Sequence, residues 1–204
     1  MAFVCLAFIY SNLAPATAQE NMNRENMVRA KIGIQISSGN KDIMAKSRDR
    51  LKSGDLVRIF IHPEKAAYIY VIYSDQKQAV LLNSVEQKMA GSSLVLPSVS
   101  ESYEIDGTSS VELFTIICSP KALPRVTTLF STDPPHGEWA SLEADLVKQS
   151  QIKLTEKSEA PFAIAGNVRG ATVKQGTNAS FKKKLRIYSG NSFLVKQYEF
   201  RVKQ

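Results

Sequence analysis

From Gly54 to Leu123 the chain is a succession of short apolar segments separated by turn residues: GDLVRIFIHPEKAAYIYVIYSDQKQAVLLNS, then AGSSLVLP, SYEIDG and SSVELFTIICSPKAL. Apolar runs this short, rich in β-branched and aromatic residues and bounded by Gly, Pro, Asn and Asp, suit strands and are too brief for helices. Leu56 to His62 alternates, with Val57, Ile59 and Ile61 on one side and Leu56, Arg58, Phe60 and His62 on the other. Pro63-Glu64-Lys65 turns the chain into Ala67 to Tyr73, which is apolar on both faces and therefore belongs at a sheet centre. Ala79 to Leu82 pairs back after the turn Asp75 to Gln78. Because short loops join antiparallel neighbours, these three segments are expected to form a meander. Ser93 to Leu96 and Ser102 to Ile105 add short strands. Val111 to Cys118 is the second strongly apolar strand, ended by Ser119-Pro120 because proline cannot donate to a ladder.

The flanks extend the pattern. Lys31 to Ser37 alternates, with Ile32, Ile34 and Ile36 on one side, and SSGNKD turns the chain. After Pro134-Pro135-His136-Gly137 the rhythm changes, and Trp139, Leu142, Leu146 and Val147 fall at helical spacing. This predicts one amphipathic helix over about residues 137–150, its Trp-bearing stripe packed on the β domain. Residues 155 to 161 (TEKSEAP) read as a polar linker. The tail returns to β at Phe162 to Val168, Phe181 to Tyr188 and Phe193 to Val202, where Leu194, Tyr198, Phe200 and Val202 share a face with Lys196. The expected fold is mainly β: one antiparallel β-sandwich-like domain over residues 30–204, with that single helix and a C-terminal β extension. A length of 204 residues suits one such domain with a core of its own.

Residues 1–18, MAFVCLAFIYSNLAPATA, form a short apolar run ending in the small residues Ala16-Thr17-Ala18, the pattern of a cleavable secretory signal. The run is shorter than the roughly 20 apolar residues a membrane span needs. No Lys or Arg precedes it, so the true start is expected upstream. Cleavage near Ala18 would leave a polar leader over 19–29 and no transmembrane segment, and would place the protein in the periplasm or outside the cell. It would also leave Cys118 as the one cysteine, which cannot form an internal disulfide and reads as a small core residue at the end of VELFTIIC.

The order Gly54-Asp55, Tyr68-Ile69-Tyr70-Val71, Ser74-Asp75, Leu81-Leu82-Asn83, Ala90-Gly91, Leu96-Pro97, Val111-Glu112-Leu113 and Ser119-Pro120 resembles the bacterial family catalogued as domain of unknown function 4384, over about residues 50 to 125. The resemblance implies a β-sandwich-like accessory domain, of the kind attached to exported proteins or to caspase-like peptidases and kinases. The family has no agreed catalytic residues, so none is carried over.

Motifs for chemistry are sparse. The two histidines, His62 and His136, stand apart from any Gly-x-Ser-x-Gly elbow, and with one mature cysteine they make no zinc set. There is no calcium loop and no Gly-rich phosphate loop with its lysine. No catalytic residue, metal or cofactor is therefore expected. The alternative, a cysteine-dependent hydrolase or redox enzyme, would need Cys118 beside His62 or His136. Charge is more informative. The net charge is +7, and from Gly166 onward nine Lys/Arg face a single acid, Glu199. Lys182, Lys183, Lys184, Arg186, Arg201 and Lys203 are expected to form a basic patch on the C-terminal strands. Such a patch attracts anions over about one Debye length, ~8–10 Å. The expected role is a non-catalytic exported domain binding an envelope protein or an anionic envelope polymer or lipid. Export argues against nucleic acid. A structural subunit of an envelope assembly is the other reading.

Overall fold

The computed structural model describes residues 27–157, 181 and 183–203. The expected signal segment 1–18, residues 19–26 of the expected leader, the strand expected at Phe162 to Val168, and Lys182 lie outside the described residues. Along the chain the elements are β1 (Val28–Ser38), β2 (Lys41–Met44), β3 (Arg50–Lys52), β4 (Leu56–Pro63), β5 (Ala67–Ser74), β6 (Ala79–Leu81), β7 (Gln87–Lys88), β8 (Leu94–Leu96), β9 (Tyr103–Glu104), β10 (Val111–Ser119), α1 (Pro124–Leu129), α2 (His136–Ser150), β11 (Lys153–Lys157), β12 (Arg186–Gly190) and β13 (Leu194–Lys203).

The strands sort into two sheets. In the first the order is β11-β12-β1-β4-β8, with β2 also on β1 and β9 also on β4. In the second it is β3-β13-β10-β5-β6, with β7 also on β5. Neighbours are antiparallel except β3, which runs parallel to β13. The main core lies between the sheets. Alternation along each strand puts Ile32, Ile34, Ile36, Val57, Ile59 and Ile61 of the first sheet against Ile69, Val71, Phe114, Ile116, Phe200 and Val202 of the second. Each such side chain, removed from water, contributes about 1.5–3 kcal/mol.

The strands β5 and β10 are apolar on both faces because both faces are covered. Their outer side chains, Tyr70, Ile72 and Ile117, pack with Val126 of α1 and with Trp139, Leu142 and Leu146 of α2. Three hydrogen bonds fix this helical layer. The Leu123 N–H donates to Tyr70 Oη at 2.7 Å. Thr115 Oγ1 donates to Glu143 Oε1. The Val195 N–H donates to Ser150 Oγ at 2.9 Å. On the far side of the first sheet, Phe60, Phe181 and Leu185 form a smaller cluster with Met44 and Val95 packed against it. Gly33 makes that cluster possible, since a Cβ there would lie 2.6 Å from Leu185 Cδ2 and 2.9 Å from Met44 Sδ.

Much of the expected plan holds: a mainly β, sandwich-like fold with an amphipathic helix where the periodicity put it, although the expected single helix is joined by a second, α1, which Pro124 starts just after β10. Several details differ. The segments 56–62 and 67–73 are not hairpin neighbours, because β4 pairs with β1, β8 and β9 in the first sheet while β5 lies in the second. The short link after Pro63 is an arch between sheets. About three residues are long enough to cross the ~10 Å that separates stacked sheets, so loop length does not distinguish an arch from a hairpin. The leader expected over 19–29 does not extend to Arg29, since Val28 and Arg29 pair with Gly190 and Ser189. The linker expected from residue 155 begins as strand β11, an edge strand on β12 with an irregularity between Leu154 and Glu156. Polar sequence is ordinary at a sheet edge. The strand expected from Phe181 starts only at Arg186, after a turn in which the Lys184 N–H donates to the Phe181 carbonyl at 2.8 Å.

Candidate functional site

The five described basic residues singled out in the sequence, Lys183, Lys184, Arg186, Arg201 and Lys203, do not form one surface. Lys183 and Lys184 are exposed on the turn before β12. Arg186 is half-buried on the first sheet, in register with Ile32 and thus on the core side of β12. There it faces Lys196 of β13. The Lys196 ammonium lies 4.4 Å from the Tyr198 ring centroid and 5.4 Å from that of Tyr188. It donates to Ser47 Oγ at 2.5 Å and to the Gln197 carbonyl at 2.6 Å. Burial, with Arg186 adding repulsion, lowers the Lys196 pKa to about 8.

Arg201 and Lys203 belong to a different place. They project from the outer face of the second sheet, on the opposite side of β13 from the core residues Phe200 and Val202. The parallel register sets Arg50 beside Arg201 and Lys52 beside Lys203, while Leu51 and Val202 between them are buried. The loop leading into β3 follows the same edge, with the Glu199 N–H donating to the Ser47 carbonyl at 3.1 Å and the Arg201 N–H to the Asp49 carbonyl at 3.3 Å. Arg48, Arg50, Arg201 and Glu199 line an open pocket of about 440 Å3. Five cationic side chains thus share this edge with one carboxylate. The nearby Asp49 carboxylate, which does not line the pocket, accepts from the Lys46 N–H at 2.7 Å. Among the described residues none of the three guanidinium groups is held in an ion pair.

This arrangement favours anions. A guanidinium offers a planar fork of donors matched to two oxygens of a carboxylate or phosphate. Three forks around one depression, with two lysines alongside, provide directional donors within a shared positive field. Sequence inspection missed Arg48, Arg50 and Lys52, although they recur at every second position around Leu51, as outward-facing strand residues do. A three-residue strand with one apolar side chain gives too little pattern to stand out, and its pairing with β13 is long-range.

The cysteine alternative is not assembled. Cys118 is fully buried on the core face of β10, and burial pushes its thiol up to about 12. His62 lies on β4 in the other sheet, its Nδ1 3.1 Å from Ser93 Oγ. His136 starts α2, on the opposite face of the second sheet from Cys118. Among the described residues no group of three His, Cys, Asp or Glu is placed to hold a metal, and no helix is long and apolar enough to cross a membrane. The residues of the family resemblance have structural roles. Gly54 adopts φ +85°, and the Asp55 carboxylate accepts from the Lys52 N–H at 2.9 Å, closing the turn into β4. Asn83 prolongs the edge of β5, its Oδ1 accepting from the Val71 N–H at 2.8 Å and its Nδ2 donating to the Ile69 carbonyl at 3.0 Å. Comparison of the chain with family models, with curated proteins and with solved structures gave no match.

Proposed function

We propose that this chain is a non-catalytic, exported binding domain that takes an anionic partner, a lipid surface or polymer of the cell envelope, on the outer face of β3 and β13. The observation that carries this reading is the convergence of Arg48, Arg50 and Arg201 on one pocket, flanked by Lys52 and Lys203. Export rests on the signal-like residues 1–18, and the accessory-domain role on the likeness of residues 50–125 to domain of unknown function 4384. A two-sheet scaffold presenting a charged face suits attachment better than turnover.

The test is flotation of the protein with vesicles containing phosphatidylglycerol, against vesicles of phosphatidylcholine alone. Each Arg or Lys near an anionic surface is worth about 1 kcal/mol. The triple variant Arg48→Gln, Arg50→Gln, Arg201→Gln should therefore bind roughly 100-fold more weakly. Lys183→Gln with Lys184→Gln, on the turn before β12 and outside this pocket, should change binding far less. Salt should release the wild type from vesicles. Equal flotation of wild type and triple variant, or binding indifferent to salt, would refute the assignment.

A further inference from the structure

A second cleft opens between the two sheets at the end where β9 approaches β5, β6 and β10. Its volume is about 250 Å3. Its walls include the rings of Tyr73, Tyr103 and Phe114, and the Tyr73 and Phe114 centroids are 5.5 Å apart. Among its lining residues is Glu112, a β10 residue in register with Phe200 and only 3 % exposed. Glu112 is in phase with Phe114, Ile116 and Cys118, so it is the one charged side chain that this strand turns toward the core.

Among the described residues the Glu112 carboxyl has no counter-ion. Its polar neighbour is the Tyr73 hydroxyl, which supplies one donor to a group with about four lone-pair positions. The other ionisable groups around it are mostly acidic: Asp75 in the β5–β6 turn, Glu104 on β9 and Asp106 before β10, with Lys77 acting on Asp106. Asp75 and Asp106 are engaged in their own turns, accepting from the N–H groups of Lys77 and Thr108 at 2.6 and 2.8 Å. Burial raises the pKa of Glu112, with the Tyr73 hydroxyl opposing that shift and repulsion from Asp106 and Asp75 adding to it. A buried carboxylate without a cation is costly, and aromatic faces attract cations most strongly where water is excluded.

We propose that this inter-sheet cleft binds the head of an organic cation, an alkylated or primary ammonium group, with Glu112 as its buried counter-ion and Tyr73, Tyr103 and Phe114 as its walls. The site is separate from the basic face on β3 and β13 and takes the opposite charge. Entry of the cation favours ionised Glu112, so binding releases a proton at pH values where the free carboxyl is still protonated, and it tightens as pH rises through that titration.

Tetramethylammonium chloride is a suitable probe, because its charge does not change with pH. The neutral control is tert-butanol, of similar shape, at matched ionic strength. In NMR titrations of the full chain, tetramethylammonium should cause saturable shifts at Tyr73, Leu82 and Tyr103, and tert-butanol should not. Glu112→Gln, which keeps the side-chain shape, should weaken binding at least tenfold and abolish its pH dependence. Tyr103→Leu, at a half-buried position, should weaken binding while leaving that pH dependence in place, and it serves if the Glu112 variant does not fold. Equal binding of tert-butanol, wild-type affinity in Glu112→Gln, or no saturable shift at the cleft in folded wild type would overturn the proposal.

Discussion

Replacing Trp139 by alanine should strip the helical layer from the second sheet, and replacing it by phenylalanine should cost little. Trp139 is fully buried on α2, between the apolar faces of β5 and β10 and the α1 segment. Its ring centroid lies 5.3 Å from that of Phe130, with the planes tilted by 57°. Truncating a buried tryptophan to alanine costs about 3–5 kcal/mol. Loss of the tilted ring pair, worth about 0.5–1.5 kcal/mol, favours the upper part of that range. In a domain of this size a loss of ~4 kcal/mol lowers the thermal midpoint by about 8–16 °C. The indole itself carries a penalty, because its buried Nε1–H finds no acceptor among the described residues. An unmet buried donor costs about 1–3 kcal/mol. Trp139→Phe keeps an aromatic ring against Phe130 and removes the donor, so relief of that penalty offsets much of the lost packing and the net cost should be about 0–2 kcal/mol. Urea unfolding followed by far-UV circular dichroism separates the two variants, and it is needed because Trp139 is the chain's only tryptophan and fluorescence is lost with it. A phenylalanine variant as unstable as the alanine variant would refute the account of the indole N–H. An alanine variant within about 1 kcal/mol of wild type would refute the claim that α2 seals the sheet.

Two further outcomes follow from ionisable groups. Lys196 has its pKa lowered from 10.5 to about 8, so between those values the unfolded chain holds a proton that the folded chain has shed. Its contribution to stability therefore rises with pH across that window, and Lys196→Met should flatten the rise in a series of urea unfolding curves; an unchanged slope would refute the placement of the ammonium. Cys118, buried and held at about 12, should resist iodoacetamide in the folded protein and react once urea unfolds it, as read by mass spectrometry; rapid labelling of the native state would revive a thiol-based activity.

The sequence was most legible where one segment alone carries the signal. The alternation of Ile32, Ile34 and Ile36, the two-faced apolar runs of β5 and β10, and the helical spacing of Trp139, Leu142 and Leu146 each specify an element and its buried side. Short elements were harder to see. In β3 a single apolar residue, Leu51, stands between charged neighbours, and β7 has two residues. The assignment of strands to sheets was not legible either, because Pro63 to Ala67 fits an arch as well as a hairpin. The same difficulty affected the candidate site. Lys182 to Arg186 is the most basic stretch of sequence, yet Arg186 faces the core side and the exposed cluster is built around Arg201 from a loop at the other end of the domain. Local charge density shows how many cations a chain has, whereas register decides which of them meet. Glu112 did leave a trace: a carboxylate in phase with Phe114 and Ile116 is a buried charge in any strand reading.

The parallel contact between β3 and β13 joins segments from near the two ends of the described fold. An anion gripped by Arg50 and Arg201 would act as a clasp across that seam, holding together strands whose separation is part of unfolding. Ligand at a hundredfold excess over its Kd would then add about 2.7 kcal/mol to the resistance of the domain to denaturation. Conversely, a protease that trims the last ten residues would remove both the clasp and half of what it fastens. Attachment and endurance of the domain would thereby be governed by a single equilibrium.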